Sequence, residues 1–134
     1  MAALEFALTM PILLLVLVGI VELSLLMHRV NVVSRVARDA SRVGSMVIEG
    51  MNPTGDQTEA AAIAHARFAL QAAGVDCTGG CEVQAEWFEL EEWHLLRVAI
   101  DAPYDPVMGA FPLVPDSVHG AFVSMTQQQM VEAP

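Results

Sequence analysis

The chain contains no lysine, and its six basic residues are all arginines: Arg29, Arg35, Arg38, Arg42, Arg67 and Arg97. Four of them precede Gly50 and balance the four acids there (Glu5, Glu22, Asp39, Glu49), so the whole net charge of −10 belongs to the part from Met51 on. A part so poor in cations presents no footprint for a phosphate backbone, and no nucleic-acid partner is expected. Its acidity reads as a solvated surface that keeps an extracytoplasmic domain soluble. There is no Gly-rich phosphate loop, no nucleophile elbow and no pair of metal ligands on one helix face. No catalytic residue, cofactor or metal is therefore expected, and nothing supports an enzyme. Glu89, Glu91 and Glu92, and the group Asp101, Asp105 and Asp116, lack the spacing of a calcium loop and read as solvated acids. Cysteine is scarce too, with only Cys77 and Cys81 flanking Thr-Gly-Gly. In an exported domain this is a small disulfide loop, and in a reducing compartment two thiols. A zinc site would need His65, His94 or His119, and no second paired motif supports one.

Against these absences stands one long apolar run, Phe6 to Met27 (FALTMPILLLVLVGIVELSLLM), whose single charge is Glu22. About 20 apolar residues suffice to cross the hydrocarbon core. The run therefore reads as a membrane span, or as a helix buried among like helices. As a secretory signal it fails, because Met1–Glu5 carries no basic residue, the run is too long and no small-x-small site closes it. A chain of 134 residues cannot easily hide so long an all-round apolar helix in its own core. Pro11 and Gly19 lie within the run and read either as a tolerated kink or as a deformable segment. Glu5 stands just before it. At the first turn a carboxylate favours the positive helix end and can pair with an α-amino group, its own at Met1 or a neighbouring subunit's.

The helical period continues past the run. Val30, Val33, Val36, Ala37, Ala40, Val43 and Val47 recur every three or four positions, with Arg35, Arg38, Arg42, Ser45 and Glu49 on the other side. Gly50 suits a C-cap and Pro53 forbids continuation, so one helix is expected from Ala2 to Ile48, about 70 Å long. Asp56-Gln57-Thr58-Glu59 has capping-box spacing and opens a second helix that Gly74 stops, with Ile63, Ala66, Phe68 or Leu70 facing the core. Beyond the cysteines the period becomes two. Val83, Ala85 and Trp87 mark one strand and Glu89–Glu92 a polar turn. Leu96, Val98 and Ile100 mark a second strand within Trp93–Ala102. A proline-rich loop follows. Ser117–Gln129 reads as a third strand, with His119, Ala121, Val123 and Met125 on one side. The expected architecture is α+β: a long N-terminal helix, a second helix and a three-stranded antiparallel sheet. Residues 1–50 form the long helix (apolar 1–27, amphipathic 28–50) and residues 51–134 an exported head.

The segment Ala2-Ala3-Leu4-Glu5-Phe6-Ala7-Leu8-Thr9-Met10-Pro11 resembles the A-A-V-E-F-A-L-x-x-P pattern of TadE-like proteins, type IV pilin relatives from tight-adherence (Tad, type IVc) pilus systems. Gly19-Ile20-Val21-Glu22 also matches, and Val36-Ala37-Arg38-Asp39-Ala40-Ser41-Arg42 is similar to the family's A-A-R-x-G-A-R. Ser124-Met125-Thr126 fits weakly. The specific part covers about the first 45 residues. The resemblance implies that Glu5 is the position-five glutamate of a mature pilin and that Met1, Phe6, Pro11, Gly19 and Glu22 belong to the assembly helix. It also implies a prepilin peptidase cutting just before Met1, which leaves a processed or methylated N-terminus; an initiator methionine is the other reading. Expected partners are copies of itself or other pilins, the cytoplasmic membrane before assembly, an assembly platform and an ATPase. Arginines after the span would by themselves put the head in the cytoplasm. A basic leader can outweigh them, and the cysteines favour the outside.

Two functions compete. The first is a structural pilin-like subunit of an adhesive filament, held in the cytoplasmic membrane and then moved into an extracellular pilus. The second is a permanently anchored extracytoplasmic binding module, with Trp87, Trp93, Tyr104 and Phe111 as contacts.

Overall fold

The computed structural model describes residues 2–50, 55–75, 77, 80–90, 93–106 and 114–127. Helix α1 (Ala2–Gly50) runs without a break for 49 residues, about 73 Å at the usual rise. Helix α2 (Gly55–Ala72) returns beside its second half, and strands β1 (Glu82–Leu90), β2 (Trp93–Pro103) and β3 (Ser117–Gln127) follow. The three strands form an antiparallel sheet in sequence order, β1-β2-β3. The sheet makes one layer and the helices the other, with α1 lying over β3 and β2 and α2 mainly over β1. This is the α+β arrangement that the periods in the sequence predict.

The core explains why α1 keeps its helical period after the apolar run. Val33, Val36, Ala37 and Ala40 are buried on one face of it, against Ala62, Ala66 and Leu70 of α2 and Leu96, Val98 and Ile100 of β2. Small side chains at the seam let the two helix backbones approach closely. Arg35, Arg38 and Arg42 remain exposed, as their spacing predicts. Val47 and Glu49 lie outside the residues whose side chains are described. Helix α2 ends in a Schellman motif: Val75 N–H donates to Leu70 O at 3.0 Å and Gly74 N–H to Gln71 O at 3.1 Å. Gly74 takes φ of 71°, the left-handed value this cap needs.

Two details differ from expectation, each for a packing reason, and on β3 the four residues grouped on one side do share a face. Phe68 is exposed, because the buried line of α2 is Thr58, Ala62, Ala66 and Leu70, a spacing of four. Glu59 makes a tertiary contact: its carboxylate accepts the Trp87 backbone N–H at 2.8 Å, which covers the outer edge of β1 with α2. On β3 the inward residues are Val118, Gly120, Phe122 and Ser124, while His119, Ala121, Val123 and Met125 face out. At position 120 α1 passes too close to β3 for any side chain beyond glycine's. A Cβ on Gly120 would lie 2.8 Å from Val33 Cγ1 and 3.1 Å from the Ser34 backbone nitrogen. Ser124 Oγ then donates to Ser41 O at 3.1 Å, holding the strand on the helix. Glu89 and Leu90 belong to β1, and Glu91 and Glu92 lie outside the described residues.

Gly120→Ala is expected to lower unfolding free energy by about 1–3 kcal/mol, since the clash is partly with backbone that cannot rotate away. Thr58→Val should act in the opposite sense. The Thr58 hydroxyl is fully buried at the helix seam with no hydrogen-bond partner among the described residues, so an isosteric methyl removes an unmet desolvation cost of about 1 kcal/mol. Thermal unfolding of the full chain in micelles reads both.

Candidate functional site

From Glu5 to Leu17 every side chain of α1 is exposed, and the exposure runs round the whole circumference. Phe6, Leu8, Ile12, Leu13, Leu15 and Ile20 are each more than 60% open. So large an apolar surface does not persist in water and requires lipid or other helices. By length and composition this helix can cross a membrane. Pro11 does not end it, and Thr9 Oγ1 donates to Glu5 O at 3.0 Å in the turn before it. Among the described residues nothing requires Gly19 to be small, as a Cβ there would meet no atom within 4 Å. Glu5 is exposed in the first turn, suited by its charge to the positive helix end. Met1 lies outside the described residues.

The free rod ends at Glu22. Glu22 is only 4% exposed, and the Tyr104 hydroxyl donates to its Oε1 at 3.0 Å, a contact between residues 82 apart in sequence. Tyr104 follows β2 directly and is itself 5% exposed, and its backbone N–H donates to Asp116 O at 2.9 Å. The strand end, the loop carbonyl and the helix thus fix the phenol. Burial pushes the Tyr104 pKa above its ordinary value, and the hydrogen bond to Glu22 and that carboxylate's charge add to the rise; Arg29 pulls the other way. Above this point the head follows the helix axis. Gly120 sits on Val33, Phe122 under Arg38 and Ser124 against Ser41, so β3 runs parallel to α1.

The span and the head therefore overlap. Residues 5–21 give about 25 Å of free helix, somewhat short of a hydrocarbon core of about 30 Å. Leu23, Leu25 and Met27 extend the apolar surface on the faces the head leaves open. With α1 across a membrane, Tyr104 and Glu22 would lie at the membrane–water interface, where a tyrosine keeps its ring in apolar surroundings and its hydroxyl bonded. The sequence marked Glu22 as the one charge in the run and left Tyr104 in a loop. The isolated charge was the only signal for the contact, because no local pattern ties residues so far apart.

Cys77 and Cys81 form a disulfide with Cα atoms 4.9 Å apart, across the turn between α2 and β1, which settles the three alternatives left by their spacing. Among the described residues no group of three His, Cys, Asp or Glu side chains could hold a metal ion. The aromatic residues considered for a binding surface are dispersed. Trp87 is half-buried and stacks on His94 at 5.2 Å, Tyr104 is buried, Trp93 is exposed, and Phe111 lies outside the described residues.

An α+β head is built on the outer half of α1, and the inner half is a bare apolar rod long and apolar enough to cross a membrane. The family model for TadE-like proteins matches residues 1–42, ending at Arg42 within the shared part of α1. The likeness to TadE-like proteins is confined to α1 and leaves the head outside it. No curated protein and no solved structure matches the chain.

Tyr104→Phe is expected to cost about 1–3 kcal/mol, because it leaves a buried carboxylate one donor short. It should also change the alkaline limb of stability. An unfolded tyrosine titrates near 10, and the folded phenol titrates higher. Its contribution is whole below about pH 10 and is lost as pH rises through the raised folded value. Unfolding of the wild type between neutral and strongly alkaline pH should show this loss, and the Phe variant should lack it.

Proposed function

We propose that the protein is a structural, pilin-like subunit of the Tad pilus system, assembled through the apolar half of α1. The observation that carries this reading is the division of one unbroken helix at Glu22. Residues 5–21 touch nothing of their own chain over most of their surface, while residues from 22 outward are built into the head. Such a helix satisfies its inner half equally well in lipid or in a bundle of like helices, which is what passage from membrane to filament demands. Glu5 guides docking by pairing with the α-amino group of a neighbour, neutralising two charges in apolar surroundings. The head lies outside the cytoplasmic membrane, in keeping with its disulfide. No residue performs catalysis; by the family resemblance a separate ATPase and membrane platform supply the work, and a prepilin peptidase processes the N-terminus.

The expected result is surface filaments that contain this chain, beginning at Met1, and that become sparse or absent with Glu5→Ala. Electron microscopy of sheared filaments, with N-terminal sequencing of their protein, reads it. Recovery of the chain only from membranes, with its leader uncut and no effect of Glu5→Ala, would contradict this reading and favour an anchored binding module.

A further inference from the structure

We infer that the uncovered face of α1 carrying Arg35 and Arg42 is a docking surface for the head of a second copy, whose β1 residues Glu82 and Glu86 face it. The inference rests on the assembly reading above, in which α1 brings copies together. Arg35 and Arg42 are seven residues apart on one exposed face of α1, about 10.5 Å along the axis. Neither makes an ion pair or a side-chain hydrogen bond among the described residues, although the chain carries sixteen acids. Asp39 is the acid that shares their exposed side of the helix. Arg38, between them, lies 5.1 Å over the Phe122 ring, which marks this as the side of α1 that borders β3.

The opposite side of the head is acidic. Strand β1 is the far edge of the sheet from β3, and Glu82 and Glu86 are exposed on its outward face. Four strand residues separate them, about 13 Å, close to the arginine spacing. Glu86 has only a loose partner, Arg97 at 3.7 Å with both side chains more than half exposed. Because the basic and acidic surfaces lie on opposite edges of one head, pairing them joins copies head to tail. The contact is then heterologous and repeats from copy to copy, into a ring or an open filament according to its rotation.

Anionic lipid is the other partner a row of arginines suggests, and the geometry disfavours it. The row runs along the helix axis and away from the membrane. On an upright helix Arg35 stands about 12 Å and Arg42 about 22 Å beyond Met27, against a screening length of about 8 Å. Exposed pairs of this kind set register and partner orientation more than affinity. The apolar helices supply the affinity.

The test uses the full chain with its disulfide intact, labelled at the C-terminus with donor or acceptor fluorophores and reconstituted in phosphatidylcholine vesicles. Energy transfer between copies should fall as salt rises from about 50 to about 500 mM. It should weaken roughly tenfold in apparent association with Arg35→Glu/Arg42→Glu, and similarly with Glu82→Arg/Glu86→Arg. Mixing the two reversed chains should restore it. All four positions are exposed, and circular dichroism of each variant checks that the head is folded. Wild-type association by the Arg35→Glu/Arg42→Glu chain, or no recovery in the mixture, overturns the inference while leaving assembly through α1 standing. Unchanged energy transfer with a lost preference for phosphatidylglycerol vesicles overturns it in favour of lipid. No transfer between wild-type copies at all would overturn the self-assembly reading itself.

Discussion

One helix has to satisfy two solvents, and the rest of the structure follows from where it changes from one to the other. Below Glu22 the side chains of α1 are apolar apart from Glu5 and Thr9, which suits hydrocarbon. Above it the same helix presents a narrow stripe of Val, Ala, Ser and Gly on which α2 and β3 pack. Because there is no hinge or glycine-rich linker between the two halves, head and span share one rigid axis. The orientation of the head in any assembly is thereby tied to the orientation of the span. Glu22 is the joint, a carboxylate that the head must cover before it can sit at an apolar boundary.

Much of this was legible in the residues. The length and purity of Phe6–Met27, the continuing three-to-four period through Ala40 and the switch to a period of two at Val83 placed both helices and the first two strands. What escaped were features set by distance in space. The inward face of β3 could not be read because close approach of α1 selects Gly120 and Ser124, residues that look like surface, and leaves Val123 and Met125 outside. The use of Glu59 on the Trp87 amide looked like a local cap because the spacing suits one. Tyr104 was invisible as a partner of Glu22 because a loop between prolines carries no period.

The candidate site shows the same division. Glu5, Pro11 and Gly19 could be singled out as isolated polar or helix-weakening residues in an apolar run. Among the described residues they touch little of their own chain. The head has a small core and is held at its lower end by a tyrosine–glutamate bond, at its side by the Cys77–Cys81 turn and along its length by β3 lying on α1. Its charge is the remaining asymmetry: an acidic body on a helix that carries most of the arginines.

The central claim is that α1 leaves lipid on one face at Glu22 while remaining one continuous helix. Spin labels placed singly from Leu14 to Arg35 in the lipid-reconstituted chain, read by their accessibility to oxygen and to a water-soluble relaxant, test it most directly. The account predicts uniform lipid exposure through Leu17. From Glu22 onward a three-to-four-residue alternation should appear, with Glu22, Leu26 and Val33 shielded and Leu23, Leu25 and Met27 open to lipid. Uniform exposure continuing through Met27, or a loss of helical period between the two halves, would contradict it.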